Sequence, residues 1–171
     1  MTVGAGRETG GILPYFDSQQ TERFMDIPEK LQKIVTRFSS APRELRGQAL
    51  LKYAQQLPPL PPDLVGARDR MQQVHECQTP FFLETRVDEE GAVHLFFDCP
   101  PEAPTVRGFA GILLEGLEGE HYEKVLAVPN TFYSSMGLAE VVSPLRLRGM
   151  GAILAGIKRR VRESLGDKSL D

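Results

Sequence analysis

Two short runs, FFLETRV (Phe81 to Val87) and VHLFF (Val93 to Phe97), flank the five residues DEEGA. Aromatic and β-branched residues on either side of a glycine-bearing connector are the sequence form of a β-hairpin, and Gly91 supplies the backbone angles the turn requires. Every other strongly patterned stretch has helical period. The chain therefore reads as α+β, a small antiparallel sheet packed against helices.

Residues 1–25 carry four glycines and no sustained period, and read as a flexible N-terminal tail; one domain is expected over 26–171. Its first helix lies in DIPEKLQKIVTRF, with Asp26 as a cap, Pro28 in the first turn and Glu29 completing a box-like pattern. Ile27, Leu31, Ile34, Val35 and Phe38 recur at helical spacing. A second helix places Leu45, Ala49, Leu50, Tyr53, Ala54 and Leu57 on one face. It stops at LPPLPPDL, whose four prolines form an extended connector. After the hairpin, TVRGFAGILLEGLEG is helical through Val106, Phe109, Ala110, Leu113, Leu114 and Leu117. Its internal glycines, Gly108 and Gly111, point to close backbone packing against the sheet. NTFYSSMG gives one or two helical turns between an Asn130 cap and a Gly137 stop. The last helix starts at SPLRLRGMGAIL and buries Met150, Ile153, Leu154, Ile157 and Val161.

Several function classes are disfavoured. Net charge is −3, so no global field favours nucleic acid or an anionic membrane. No apolar run approaches the roughly 20 residues that span a bilayer, and the first residues lack a secretory signal pattern. Cys77 and Cys99 stand 22 apart without C-x-x-C, and His75, His94 and His121 are scattered, which argues against a metal centre. There is no G-x-S-x-G elbow, and the glycines of GFAGILLEG do not have phosphate-loop spacing. Two cysteines make no disulfide framework, so a reducing, cytoplasmic setting is expected.

Cys77 remains, in MQQVHECQTPFFL, where a polar loop enters a strand. Exposure and nearby positive charge would make it a nucleophile, and Glu76 works against that. An inert, buried cysteine fits the same pattern. Cys99, before two prolines in FFDCPPEAP, reads either as a small residue ending a strand or as a resolving thiol for Cys77. From Ser143 to Val161 the last helix carries Arg146, Arg148, Lys158, Arg159 and Arg160 and no acidic residue. That is either a solvated face or a docking surface for an acidic partner.

These pieces, in this order and from about Ile27 to Arg162, resemble the SufE family of sulfur-acceptor proteins. KLQKIVTRF and LLKYAQQLPPLP look like its opening helices. VHECQT is similar to its V-x-G-C-x-S loop, VRGFAGILLEGLEG to its V-K-G-L helix, and LRLRGM to the end of its S-P-S-R-x-x-G-L segment. The resemblance implies a fold like that of IscU-type scaffolds, with a three-stranded antiparallel sheet whose extra strand falls in RMQQVHE. It implies that Cys77 accepts persulfide sulfur from a SufS-type pyridoxal-phosphate cysteine desulfurase, stimulates that enzyme and delivers sulfur to an Fe–S scaffold. Arg146 matches the family's arginine, for partner docking or loop support. Glu76 replaces the family's glycine, and Phe81 and Phe82 replace its V-W pair. Those two rings would offer an apolar shelter for the sulfur, and the loop from Gln73 to Pro80 would move to expose it. No cofactor is expected, and the chain could also pair with a second copy. The rival readings are a regulatory module that docks without transferring sulfur, a redox sensor using Cys77 and Cys99, and an Fe–S scaffold.

Overall fold

The computed structural model describes residues 27–168, with side chains through residue 166. Helix α1, Glu29–Ser40, buries Leu31, Ile34, Val35 and Phe38, the stripe its period requires. Pro28 is its cap residue rather than part of its first turn, and its carbonyl accepts from the Gln32 amide at 2.9 Å. The expected Asp26 cap and the 1–25 tail lie outside the described residues. Helix α2, Arg43–Gln55, buries Leu50, Tyr53 and Ala54. Leu45, expected on that inner face, is half-exposed, because the first turn of α2 overhangs the groove between α1 and α2.

After the proline connector the chain forms a three-stranded antiparallel sheet in the order β1 (Gln72–Gln73), β2 (Phe82–Val87), β3 (Val93–Asp98). The hairpin register runs from Phe82 opposite Asp98 to Val87 opposite Val93. Gly91, at φ +84°, makes its turn, and the Asp88 carboxylate accepts from the Glu90 and Ala92 amides. The third strand is only two residues long, Gln72 opposite Leu83 and Gln73 opposite Phe82, so it has no alternation to detect.

Helix α3, Pro104–Leu117, and helix α5, Pro144–Lys168, complete the core, with the short helix α4, Tyr122–Ala127, and 3-10 turns at Phe132–Ser135 and Leu138–Glu140 between them. Met150, Ile153, Leu154, Ile157 and Val161 of α5 are all fully buried. The expectation for Gly108 and Gly111 is corrected. A Cβ on Gly108 would stand 2.6 Å from the Leu50 carbonyl oxygen, and one on Gly111 2.9 Å from the Tyr53 carbonyl carbon. Both glycines let α3 touch the backbone of α2, not the sheet. Asn130 is not a cap either. Thr131 takes that place, and its carbonyl accepts from the Ser134 amide at 2.9 Å.

Candidate functional site

Cys77 lies in the loop that joins β1 to β2. Two backbone bonds shape this loop: the Val74 amide donates to the Phe81 carbonyl at 2.9 Å, and the Cys77 amide donates to the Val74 carbonyl at 3.3 Å. The first bond closes the loop like the end of a ladder. The second folds Cys77 back toward the core, so its side chain packs against the core cluster while the loop residues beside it stay exposed.

The sulfur faces a cleft of about 260 Å³ bounded by three segments. The loop contributes Glu76, Cys77, Gln78 and Thr79. The start of α3 contributes Val106 and Phe109, and the start of α5 contributes Leu145, Arg146 and Gly149. A Cβ on Gly149 would stand 3.4 Å from the Cys77 Sγ, an ordinary contact distance, so the thiol rests directly beside the backbone of α5 at that point. Gly149 was not singled out from the sequence. Its signal was the glycine of LRLRGM, three residues after Arg146.

Electrostatics keep the thiol protonated. Burial in the apolar cleft raises the Cys77 pKa to about 11, with smaller contributions in the same direction from the Glu76 carboxylate and from Cys99. The N-terminal turns of α3 and α5 border the same cleft. Unsatisfied amides and the positive end of each helix dipole favour an anion there.

The structure brings Cys77, Glu76 and Arg146 to one cleft, and Leu145, half-exposed, forms an apolar edge beside them. The two phenylalanines stand elsewhere. Phe81 is fully buried, its ring 5.7 Å from that of Phe97, and it serves the loop through its carbonyl. The Phe82 ring lies under the Arg68 guanidinium at 4.8 Å. The apolar shelter of the sulfur is thus built by Val106, Phe109 and Leu145 instead.

Cys99 is a buried, free thiol just beyond β3. Burial raises its pKa, and Arg107 opposes that shift from 3.9 Å while donating to the Cys99 carbonyl at 3.1 Å. The basic run of α5 is split. The Lys158 ammonium is buried and donates to the Val128 carbonyl, and Arg160 pairs with Glu84 and Glu163. Arg146 stays exposed, its guanidinium without a hydrogen bond or ion pair among the described residues. Among those residues no group of three or more His, Cys, Asp or Glu side chains could hold a metal ion, and no helix is long and apolar enough to cross a membrane.

A family model described as "SufE: Fe-S metabolism associated domain" matches residues 32–161. The chain belongs to the SufE family. An uncharacterised SufE-like protein of Mycobacterium tuberculosis is 46% identical over 138 residues, which cover 81% of this chain and 95% of that one. The cysteine desulfuration protein SufE of Plasmodium vivax is 25% identical over 151 residues, covering 86% of this chain and 58% of its own length. Among solved structures, a hypothetical protein from Thermus thermophilus shares the fold with a TM-score of 0.73 and 49% identity, over 82% of this chain and 98% of that one. Membership places this SufE-family chain in Fe–S metabolism, and the three-stranded α+β fold agrees with it.

Proposed function

We propose that this protein accepts sulfane sulfur on Cys77 from a cysteine desulfurase, accelerates that enzyme by emptying it, and passes the sulfur on for Fe–S cluster assembly. The observation that carries the reading is the position of Cys77, a half-buried thiol on a loop beside a cleft flanked by two helix N-terminal turns. In the transfer, the Cys77 thiolate attacks the outer sulfur of the donor's Cys–S–SH. A new S–S bond forms on Cys77, the donor's S–S bond breaks, and the donor cysteine leaves as a thiolate and takes up the proton. Nothing is oxidised or reduced overall, so no cofactor is required.

The cleft suits the product better than the reactant. A thiol held near pKa 11 is seldom ionised, which protects the resting carrier from stray oxidants. The added sulfur extends into the cleft, toward the α3 and α5 amide ends and Arg146, where negative charge is stabilised. Accepting sulfur then requires the 74–81 loop to move when the donor docks, carrying Cys77 away from Glu76 and its apolar walls. Arg146 and Leu145, exposed beside the cleft, are the residues a donor would meet.

The test is desulfurase turnover with and without this protein. Wild type should raise the rate, and Cys77→Ser should not. The raised pKa favours a second reading, a docking module that never takes sulfur. On that reading Cys77→Ser would stimulate as well as wild type, which would overturn the transfer account.

A further inference from the structure

The cleft holds more charge than one sulfur atom needs. Arg146, Glu76 and Glu102 all line it, and no side chain of the three has a hydrogen bond or ion pair among the described residues. At about 260 Å³ the cleft falls below the roughly 300–1,000 Å³ typical of drug-sized ligands, so it suits a single small molecule. A guanidinium, two carboxylates and a sulfur nucleophile around one small cavity are complementary to one chemical class: a free α-amino acid bearing a thiol.

We infer that the cleft binds such an aminothiol acid as a sulfur acceptor, with Arg146 on its carboxylate, Glu76 and Glu102 on its ammonium, and its thiol against the Cys77 persulfide. This rests on the sulfur-acceptor reading above and adds an exit that needs no protein scaffold. The ligand's thiolate attacks the outer sulfur of Cys77–S–SH. The Cys77 S–S bond breaks, Cys77 leaves as a thiolate and takes the proton that the ligand thiol gave up, and the ligand departs as its own persulfide. Sulfane sulfur moves from one thiol to another, and no oxidant or reductant enters. The high proton affinity of Cys77 makes it a poor leaving group, so an acceptor held in place by both its charges has an advantage over one arriving by collision.

The experiment loads the protein with a desulfurase and substrate, desalts it, and follows loss of the added sulfur by intact mass. L-cysteine, cysteamine (no carboxylate) and N-acetylcysteine (no ammonium) are compared at equal thiolate concentration. L-cysteine should discharge Cys77 about tenfold faster than either, the size of one charge-assisted hydrogen bond. In Arg146→Gln its rate should fall to that of cysteamine. In Glu76→Gln/Glu102→Gln it should fall to that of N-acetylcysteine, and because each comparison is a ratio within one variant, any general effect of Glu76 on the sulfur cancels. Equal rates for the three thiols in wild type overturn the inference while leaving the sulfur-acceptor reading intact. A protein that never gains sulfur overturns that reading instead, and recognition is then read on the unloaded chain. L-serine, which carries both charges and no thiol, should slow alkylation of Cys77 where ethanolamine does not. No protection overturns the inference.

Discussion

Replacing Glu76 by glutamine isolates one of the causes that hold the Cys77 proton. At a pKa of about 11 the thiol is 2.5 units above the free-cysteine reference of about 8.5, so near pH 7 it presents about 300-fold less thiolate. A more basic thiolate is also a better nucleophile, with a Brønsted slope of about 0.45, which restores about 13-fold. Wild-type Cys77 should therefore react with iodoacetamide about 25-fold more slowly than free cysteine at pH 7, with a rate that is still climbing at pH 10. Burial is the largest cause and Glu76 the second, so Glu76→Gln should move the midpoint down yet leave it above 8.5. Intact-mass kinetics from pH 6 to 11 read this directly, with Cys77→Ser correcting for Cys99. A wild-type midpoint near 8.5, or a midpoint unmoved by Glu76→Gln, would refute the electrostatic description of the loop.

Three further outcomes concern the scaffold. Gly149→Ala should be tolerated, because its methyl meets the Cys77 Sγ at an ordinary 3.4 Å and α5 gains about 1 kcal/mol of helix propensity, raising Tm by about 3 °C; Gly111→Ala should instead drive α3 from the α2 backbone and cost about 3 kcal/mol, both read by thermal unfolding. His94 bonds through Nε2 to Asp88 at 2.9 Å and through Nδ1 to Glu118 at 2.7 Å, and these two carboxylates raise its pKa. Its stabilisation is complete below the unfolded value near 6.5 and is lost as pH rises through the folded value, so His94→Gln should lower Tm by about 2 °C at pH 5.5 and by less at pH 8.5.

What the sequence made legible was whatever repeats. The α5 stripe from Met150 to Val161 and the hairpin around Gly91 follow from period and turn chemistry alone, and both stand as expected. Features that depend on what lies opposite were not legible. Gly108 and Gly111 announce a close approach without saying to what, and α2 rather than the sheet meets them. Leu45 has the right spacing for the core but sits on a turn that overhangs a groove. At the site, the loop chemistry around Cys77 and the place of Arg146 could be read, because both are written in side chains. The walls of the cleft could not. Phe81 and Phe82, the nearest aromatics in sequence, do not line it, and Val106, Phe109, Leu145 and Gly149 come from helices that begin 27 and 67 residues after Cys77. Glu102 carries no pattern at all, and its meaning comes from facing the same cavity as Arg146.

The most direct measurement is peptide-level mass spectrometry of the protein after incubation with a cysteine desulfurase and cysteine, with free thiols and persulfides alkylated before digestion. The account predicts one added sulfur on the peptide containing Cys77 and none on that containing Cys99. An unmodified Cys77 peptide, beside a desulfurase that is demonstrably turning over, would contradict it.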